Sequence, residues 1–246
     1  MDLTGKVALV TGSTRGFGHE IAFALARHGA DLIISSRKAD ACERVAAEIA
    51  QSTGRQALPS PCHMGEWDQI ERLVNASYAR FGRLDIVVNN AGMSPTYDDL
   101  AGVTEALYDK TLAVNLKGPF RLCALAGARM AAAGGGVIVN ISSVASLNAS
   151  PEYLPYAAAK AGLNALTVGF ARAYGPGVRV NAILPGRFRT DVAKAWDLDE
   201  VGRELQLTAL KRMGEPSEII GTVLYLVSDL SSYTTGALLR VDGGSG

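Results

Sequence analysis

Three residues between positions 143 and 160 have side chains and spacing suited to proton transfer. Tyr156 follows Ser143 by thirteen residues, and Lys160 follows Tyr156 by four. The alanines between them favour a helix, which would put the tyrosine and the lysine on one face. An ammonium beside a phenol favours the phenolate, so we expect Lys160 to lower the pKa of Tyr156. Such a tyrosine could exchange a proton with an alcohol while the serine hydroxyl holds the substrate oxygen. Alone, the same spacing also fits a surface pair on an ordinary helix.

A glycine-rich turn near the N-terminus has the residues of a phosphate-binding site. The β-branched run 6–10 leads into TGSTRGFG at 11–18, and a helical pattern follows that ends at Gly29. Glycines let the backbone approach a phosphate closely, and the start of the helix offers free N–H groups and the positive end of a dipole. The alternative is a tight strand-to-helix turn that binds nothing.

The end of the second predicted strand indicates which dinucleotide would bind. Strand Asp31–Ser35 is followed by Ser36 and Arg37, where a dinucleotide fold meets the adenosine ribose. A carboxylate there would favour NAD(H), whereas Arg37 together with Arg15 suits the 2′-phosphate of NADP(H). We therefore expect NADP(H) as the preferred cofactor, with NAD(H) as the second choice. The alternative for Arg37 is a solvated charge at the end of a strand.

Strands and helices alternate along the chain, which predicts an α/β fold with a mostly parallel sheet and right-handed crossovers. Asn115 lies among apolar residues of a helical region, where an asparagine either has a function or is a hydrogen-bonded core amide. The further predicted helices are 40–51, 66–81, 103–133 (one long or two consecutive), 155–174 and 217–228, and the further strands are 55–62, 84–88, 137–141, 178–184 and 237–241.

Composition narrows the classes of function. The 246 residues fit one α/β domain, and Lys plus Arg balance Asp plus Glu at 24 each. This balance gives no electrostatic reason to expect binding to nucleic acid or to an anionic membrane. Cys42, Cys62 and Cys123 lack the spacing of a disulfide framework or a zinc site, so we expect no metal, and reduced thiols in the cytoplasm. No uncharged apolar run reaches the roughly 18 residues that a transmembrane helix needs.

These motifs together resemble the short, single-domain branch of the short-chain dehydrogenase/reductase family. The resemblance covers residues 6–244, nearly the whole chain. Each motif is weak alone, but their joint order and spacing are very specific. In sequence order they are TGxxxGxG at 11–18, NNAG at 89–92, Asn115, Ser143, Tyr156-xxx-Lys160, Pro185-Gly186 with Thr190, and VDGG at 241–244.

The resemblance implies a single Rossmann-like domain, with a doubly wound parallel seven-stranded sheet and helices on both faces. It implies an oxidoreductase that acts on CH–OH groups with a nicotinamide cofactor, which carries the hydride. Tyr156 would donate or accept the proton, and Lys160 would bind the nicotinamide ribose. Ser143 would position the carbonyl oxygen, and Asn115 would hold a water in the proton relay. The residues expected to contact the cofactor are Gly12, Ser13, Thr14, Arg15, Gly16, Phe17, Gly18, Ser36, Arg37, His63, Met64, Asn90, Ala91, Gly92, Tyr156, Lys160, Pro185, Gly186, Phe188 and Thr190.

Three positions depart from the residues usual in the family. His63 stands where an aspartate often meets the adenine amino group, and a neutral histidine nitrogen could still accept that hydrogen bond. Phe17 replaces a frequent isoleucine in the glycine-rich turn, where backbone groups do the binding, so we expect little effect. Phe188 replaces a residue that is commonly aliphatic.

The substrate is less constrained than the reaction. The region at about 187–210 reads as a mobile flap with short helices, which would close over cofactor and substrate. Arg187 or Arg189 could pair with an anionic substrate group, although solvated flap charges are the simpler interpretation. The candidate substrate contacts are Ser94, Asn148, Leu154, Arg187 and Trp196.

A small free ketone or secondary alcohol is the substrate that we expect. The runner-up is a 3-oxoacyl chain on an acyl carrier protein. Relatives dock that acidic partner through basic residues, and here Arg129 and Arg172 are set back from those places. The third alternative is a non-catalytic nucleotide-binding sensor or scaffold, which would often have lost one of the four predicted catalytic residues.

The alanine-rich helices 103–133 and 155–174 carry small-residue faces broader than one sheet contact requires. Gly162 and Gly169 on the second helix permit close helix packing. Relatives in the family pair across these helices and across the last strand, so we expect a homotetramer.

Overall fold

Runs of β-branched and aliphatic residues form the strands of the computed structural model, which describes residues 1–190, 202, 205, 206 and 208–245. Such side chains pack well in a sheet that is buried on both faces. The strands are β1 (Val7–Thr11), β2 (Asp31–Ser35), β3 (Ala57–Pro59), β4 (Ile86–Asn89), β5 (Gly136–Ile141), β6 (Val178–Pro185) and β7 (Leu238–Val241).

Helices lie between most strands and cover both faces of the sheet. Each forms where apolar residues recur at helical spacing, and the apolar stripe faces the sheet. The helices are α1 (Gly16–Arg27), α2 (Ala39–Thr53), α3 (Trp67–Phe81), α4 (Glu105–Leu112), α5 (Gly118–Ala132), α6 (Leu154–Tyr174) and α7 (Ile220–Val227), with 3-10 turns at Val144–Ser146, Pro151–Tyr153, Pro216–Ile219 and Asp229–Ser231.

The strand order is β3-β2-β1-β4-β5-β6-β7, and all neighbouring strands are parallel. Every strand therefore ends at the same edge of the sheet. The order reverses between β1 and β4, which is where open α/β sheets form a ligand-binding crevice. The glycine-rich turn follows β1 and the NNAG segment follows β4, so both flank this crevice. This architecture confirms the predicted seven-stranded, doubly wound fold.

An apolar core lies on each face of the sheet. Alternate residues of β1 point to opposite sides, because side chains alternate along a strand. Ala8 and Val10 pack with the buried residues of α1, α2 and α7. Val7 and Leu9 pack with those of α3, α5 and α6. Since both faces are covered, the strands read as continuous apolar runs in the sequence.

Buried polar side chains join β4, β5 and α6 beneath the carboxyl edge of the sheet. Asn89 Nδ2 donates to Asn140 Oδ1 at 2.9 Å and to Cys123 Sγ at 3.2 Å. Asn140 Nδ2 donates to Thr167 Oγ1 at 2.9 Å, and the Thr167 hydroxyl donates to the Leu163 carbonyl at 2.8 Å. A slip of α6 along β5 would leave these groups unsatisfied, so they fix the register of the helix.

Two predicted elements differ from the structure in ways that matter for the site. The third strand is predicted over 55–62, but β3 has only three residues and ends at Pro59. Beyond it, the N–H groups of Ser60 and Cys62 still donate to the carbonyls of Ile34 and Ser36, both at 2.9 Å, so the chain stays beside β2 without regular strand geometry. Region 103–133 is neither one helix nor two simple ones. A π-helical turn, Ala113–Lys117, lies between α4 and α5 and contains Asn115.

The predicted flap at 187–210 lies largely outside the described residues. Of that stretch, the structure describes 187–190, 202, 205, 206 and 208–210. Trp196 is among the residues that it does not describe.

Two expectations from composition can be compared with the structure. The cysteines Cys42, Cys62 and Cys123 are all free and buried. Over the ranges that the structure describes, no helix has the length and apolar character needed to cross a bilayer.

We predict that Gly18→Ala destabilises the protein by disturbing the glycine-rich turn. A Cβ at Gly18 would lie 2.3 Å from the Gly12 carbonyl oxygen and 2.5 Å from Asn90 Nδ2. The free energy of unfolding, measured in urea without nucleotide, should fall by about 2 kcal/mol. Gly221→Ala on α7 is the matched control, because its Cβ would meet open space and alanine favours helix. Equal losses in the two variants would contradict the tight turn.

Candidate functional site

The glycine-rich turn after β1 leads into a helix N-terminus that has no side-chain cap. Gly12 and Gly16 have positive φ angles of 66° and 53°, which glycine adopts without strain. Arg15 is the N-cap residue of α1, its side chain makes no capping hydrogen bond, and the first turn has no acidic residue. Free N–H groups and the positive end of the helix dipole at this position can bind a phosphate.

Two hydrogen-bonded pairs join the glycine-rich turn to the end of β2. The Ser35 N–H donates to Ser13 Oγ at 2.9 Å, and Thr14 Oγ1 donates to Ser36 Oγ at 3.0 Å. Ser13 is fully buried, so its hydroxyl supports the turn from within the protein. The Thr14–Ser36 pair brings the phosphate turn next to the segment predicted to meet the adenosine ribose.

Arg15 and Arg37 directly follow the two residues of that second pair, Thr14 and Ser36. Both arginines are exposed. Within the described part of the chain, neither guanidinium forms an ion pair. The structure therefore brings the two predicted cations to neighbouring backbone positions, with their charges available to an anionic group.

Thr11, at the end of β1, joins the glycine-rich turn to the NNAG segment. Its Oγ1 accepts hydrogen bonds from the N–H groups of Asn90 at 3.0 Å and Ala91 at 3.1 Å. Asn90 Nδ2 donates to the carbonyls of Thr11 at 2.9 Å and Gly12 at 3.3 Å. The two loops are therefore fixed to one another. Thr11 belongs to the TGxxxGxG motif, but the sequence does not predict that its hydroxyl joins the two loops.

Gly92 lies where the loop after β4, the π-helical turn and α6 meet. A Cβ at this position would be 2.9 Å from Asn115 Oδ1 and 3.7 Å from Lys160 Nζ. Gly92 is exposed, and a side chain at this position would fill the space beside the buried lysine. The structure thus brings together three residues that are far apart in the sequence.

Asn115 is fully buried, and its side chain is committed to the loop after β4. Its Oδ1 accepts from Met93 N–H at 3.1 Å, and its Nδ2 donates to the Met93 carbonyl at 2.8 Å and the Thr111 carbonyl at 2.9 Å. Its backbone carbonyl differs, because Pro119 lacks the N–H that an α-helix supplies four residues on.

Ser143, Tyr156 and Lys160 meet as their spacing predicts. The Ser143 hydroxyl lies near enough to the Tyr156 hydroxyl to oppose the rise of its pKa, and Ser143 Oγ accepts a hydrogen bond from Ala145 N–H at 3.1 Å. Tyr156 and Lys160 lie on the same face of α6, with Lys160 Nζ 5.7 Å from the centre of the tyrosine ring. The strand-end serine and the helical pair therefore form one cluster.

The expectation that Lys160 lowers the pKa of Tyr156 is wrong. Burial of the phenol raises its pKa, and the Ser143 hydrogen bond opposes this effect only in part. Tyr156 as a whole is half-buried. Lys160 Nζ instead donates to the Ile141 carbonyl at 2.7 Å. Tyr156 is therefore protonated at neutral pH.

Burial also changes the acidity of Lys160. Its side chain is 3% exposed, and desolvation lowers its pKa from 10.5 to about 8. The ammonium form still predominates at neutral pH. A buried charge of this kind destabilises the fold, and such residues are typical of functional sites.

His63 does not fit the predicted acceptance of the adenine amino group. Its Nδ1 accepts a hydrogen bond from Gly65 N–H at 3.0 Å. The neutral ring therefore carries its proton on Nε2, which can only donate. The adenine amino group is itself a donor, so His63 could pair only with a ring nitrogen of adenine. Its neighbour Met64 is buried.

The segment after β6 packs against the glycine-rich turn. Phe188 is buried, and its ring meets Phe17 edge-on with 4.9 Å between centroids, so two of the departures from the family pattern pack on one another. Gly186 has no room for a side chain, because a Cβ would lie 2.7 Å from Asp242 Cβ. The Thr190 N–H donates to the Phe188 carbonyl at 2.9 Å.

The predicted substrate contacts lie on separate segments. Ser94 follows β4, Asn148 follows the turn after Ser143, and Leu154 begins α6; all three are exposed. The Tyr97 hydroxyl joins two of these segments, since it accepts from Leu154 N–H at 2.8 Å and donates to the Pro151 carbonyl.

One of the predicted flap arginines already has a partner. Arg189 Nε lies 3.2 Å from Glu215 Oε1, and both side chains are largely exposed. This pair fits the alternative of a solvated surface charge better than a contact with an anionic substrate.

Comparison with known proteins points to one family. A family model described as enoyl-(acyl carrier protein) reductase matches residues 12–245. Dehydrogenase/reductase SDR family member 4 of Homo sapiens is 37% identical over 246 residues, which cover 99% of this chain and 88% of that protein. L-rhamnose 1-dehydrogenase (NAD(P)(+)) of Azotobacter vinelandii is 37% identical over 252 residues, which cover 99% of this chain and 98% of that protein.

A solved structure gives the same result. 7α-Hydroxysteroid dehydrogenase, complexed with NADH and 7-oxo glycochenodeoxycholic acid, aligns with a TM-score of 0.93 and 33% identity, over 99% of this chain and 95% of that one. The chain belongs to the short-chain dehydrogenase/reductase family. It is an oxidoreductase that acts on alcohols and ketones with a nicotinamide cofactor.

We predict that Lys160→Met stabilises the protein. Methionine has no charge to desolvate, so the variant should exceed the wild type by about 2 kcal/mol at neutral pH. The wild-type lysine has a pKa of about 8 when folded and 10.5 in its ordinary environment. Between these values the unfolded chain binds more protons, so wild-type stability rises with pH. The advantage of the variant should therefore shrink from pH 8 to pH 10.5.

Urea denaturation of both proteins at a series of pH values measures this difference. Lys38→Met is the matched control, because Lys38 is exposed and its replacement should give no such pH dependence. A constant stability difference between wild type and Lys160→Met across this range would contradict the buried charge.

Proposed function

We propose that this chain interconverts a ketone and a secondary alcohol on a small free substrate, using NADP(H), with Tyr156 as the general acid/base. The observation that carries the proposal is that Tyr156 and the buried Lys160 lie together on one face of α6, with Lys160 Nζ 5.7 Å from the tyrosine ring and the Ser143 hydroxyl close by, at the carboxyl edge of the parallel sheet. A tyrosine held in this way can pass a proton to a substrate oxygen that the serine orients.

The residues around the crevice fit a nicotinamide dinucleotide, which supplies the hydride when bound. Gly12, Gly16 and the uncapped start of α1 would hold the pyrophosphate. Gly92 would let the nicotinamide half approach the strand ends, because a side chain there would enter the space beside Lys160 Nζ. Lys160 would bind the nicotinamide ribose from that position.

The raised pKa of Tyr156 suits the reductive direction. As the substrate carbon is reduced, its oxygen takes the proton of the Tyr156 hydroxyl, while Ser143 holds that oxygen in place. A water held by Asn115 would return a proton to the tyrosine. Alcohol oxidation instead needs the phenolate, so its rate should rise with pH while the rate of reduction does not.

We predict that Tyr156→Phe lowers turnover by about 100-fold or more and leaves the dissociation constant for NADPH nearly unchanged, since the phenolic proton is needed only as charge develops on the substrate oxygen. Loss of NADPH absorbance over a panel of ketones, sugars, polyols, steroids and acyl thioesters first identifies a substrate. Tyr78→Phe is the control, because its buried hydroxyl has no hydrogen-bond partner among the described residues. Retention of more than about a tenth of the wild-type rate by Tyr156→Phe would rule out the assigned role.

The surface gives little support to an acyl carrier protein as partner. Arg129 donates to Asn75 Oδ1 at 2.5 Å and stacks on the Tyr78 ring, so its charge is engaged with α3. Arg172 is the exposed cation at the end of α6. An acidic partner would find few free cations here, which favours a small free substrate. The intact cluster of Ser143, Tyr156 and Lys160 likewise favours an enzyme over a non-catalytic sensor.

The preference for NADP(H) rests on Arg15 and Arg37. Both are exposed, and the Thr14–Ser36 hydrogen bond keeps their backbones adjacent, so they can approach a 2′-phosphate together. Charge-assisted hydrogen bonds contribute about 1.5–3 kcal/mol each, and solvent exposure favours the low end of this range. Two of them correspond to a preference on the order of 100-fold.

We predict that the wild type binds NADPH about 100-fold more tightly than NADH, as measured by fluorescence titration. The double variant Ser36→Asp with Arg37→Leu should reverse the order, because the carboxylate repels the phosphate and can accept from a ribose hydroxyl. Arg172→Leu removes an exposed arginine at a distant position and should change neither constant. Equal or tighter binding of NADH by the wild type would mean that the arginines have another role.

Two apolar surfaces support a homotetramer. An open groove of about 1030 Å³ between α3, α4, α5 and α6 is bordered by Trp67 and Phe120, both more than a third exposed. It lies beside Gly162, on a part of α6 that does not carry the catalytic cluster. The second surface is the open edge of β7 with Leu238 and the fully exposed Tyr233. Two self-complementary faces of this kind close into a tetramer with twofold axes.

We predict that light scattering gives four times the chain mass of 25.8 kDa at micromolar concentration. Phe120→Glu and Tyr233→Glu should each halve this mass, because each places charges at a different twofold interface. The combined variant should be a monomer. A monomeric wild type would refute the assembly.

For the compartment, we propose the cytoplasm. The three cysteines are free and buried, which fits a reducing environment.

A further inference from the structure

Asn164 and Ser146 form a hydrogen-bonded link between the helix that carries Tyr156 and the turn that carries Ser143. Asn164 Nδ2 donates to Ser146 Oγ at 2.8 Å, and the Ser146 hydroxyl donates to the Ser143 carbonyl at 2.5 Å. Asn164 lies on α6 two turns after Tyr156, on the same side of the helix as Lys160. The link therefore connects the two elements whose separation sets the contact between the serine and tyrosine hydroxyls.

The turn that receives this link is also the one that orients Ser143. Ser143 is the N-cap of the 3-10 turn Val144–Ser146, and its Oγ accepts from Ala145 N–H. The Ser143 side chain thus follows the position of the whole turn. On the N-terminal side of the turn, Lys160 Nζ donates a hydrogen bond to the Ile141 carbonyl. The Asn164–Ser146 contact holds the turn from its far end.

Stability alone does not explain an asparagine at position 164. The side chain is buried, and its Oδ1 has no hydrogen-bond partner in the part of the chain that the structure describes. A buried acceptor without a partner destabilises a fold, and leucine has nearly the same shape without that penalty. The amide nitrogen of Asn164, in contrast, donates a hydrogen bond to Ser146 Oγ.

We propose that Asn164 and Ser146 are positioning residues, which hold the Ser143 turn against α6 and so set the distance between the Ser143 and Tyr156 hydroxyls. This inference rests on the proposed function, because it concerns the geometry of the same proton-transfer site. It assigns the two residues no contact with substrate or cofactor.

Three variants test the link: Asn164→Leu, Ser146→Ala and the double variant. Each single change removes the same contact, so each should lower the turnover number about tenfold, and the double variant should fall no further. The KM for NADPH should stay within about twofold of the wild type, since the link does not reach the phosphate or ribose subsites. The melting temperature of Asn164→Leu should be equal to or above that of the wild type.

A second readout separates positioning from a general loss of structure and does not need turnover. The Ser143 hydrogen bond lowers the pKa of Tyr156, so its loss should raise that pKa further. The pKa follows from the phenolate absorbance of each protein minus that of the same protein carrying Tyr156→Phe. An upward shift in Asn164→Leu and Ser146→Ala is the expected result.

Thr167→Val is the matched control on the same helix. Thr167 is fully buried and is bonded to Asn140 of β5 rather than to the Ser143 turn. Its replacement should lower the melting temperature without moving the Tyr156 pKa. If Asn164→Leu behaves in this way, or keeps the wild-type rate and Tyr156 pKa, the positioning role is wrong. A wild type without turnover on any substrate would count against the proposed function, while the phenolate titration would still decide the inference.

Discussion

The polar contact between helix α6 and strand β5 is the constraint on which the candidate site depends. Lys160 Nζ holds the Ile141 carbonyl at 2.7 Å, and the Ser142 hydroxyl holds the Lys160 carbonyl at 3.3 Å. Deeper in the fold, Asn140 is bonded to Thr167 of the same helix. Because Tyr156 is on the helix and Ser143 is at the end of the strand, this contact determines whether their hydroxyls meet.

Two features of the site lower the stability of the folded protein. The fold buries the Lys160 ammonium without a carboxylate and leaves Asn164 Oδ1 without a partner in the described ranges. Both features oppose folding, and both belong to the cluster around Tyr156. The surrounding sheet, with an apolar core on each face, stabilises the chain enough to hold them. A stable frame can hold polar groups of this kind at a functional site although they reduce the stability of the fold.

The sequence predicted the frame well because its signals are local. Strand Asp31–Ser35 was recovered residue for residue, and the turn and helix that follow β1 were recognised from the glycines between a strand and an apolar stripe. The cluster of Ser143, Tyr156 and Lys160 was also found, since its spacing is read directly along the chain. The prediction that failed concerns the pKa of Tyr156, which depends on atoms that the fold brings close from distant parts of the chain. The pKa of Tyr156 rises because the fold buries the phenol. The spacing of residues along the chain does not show how deeply a side chain will be buried.

Other differences have the same origin. The sequence leaves His63 free to accept a hydrogen bond from adenine, but in the structure the Gly65 N–H already donates to its Nδ1 through a local turn of the backbone. The role of Asn164 is not predictable from the sequence, because its partner Ser146 lies 18 residues away on another element and is brought opposite it only by the fold. The π-helical turn at Asn115 depends on how α4 and α5 join around Pro119, which helical periodicity alone does not resolve.

The central claim is that one substrate oxygen is held by the hydroxyls of Ser143 and Tyr156 beside the nicotinamide. A crystal structure of the protein with NADP⁺ and a ketone that it reduces tests this claim most directly. The claim predicts the ketone oxygen at about 2.6–3.2 Å from both hydroxyls, with the Lys160 ammonium at the nicotinamide ribose. A ketone oxygen bound away from Tyr156, with the nicotinamide in the same crevice, would contradict it.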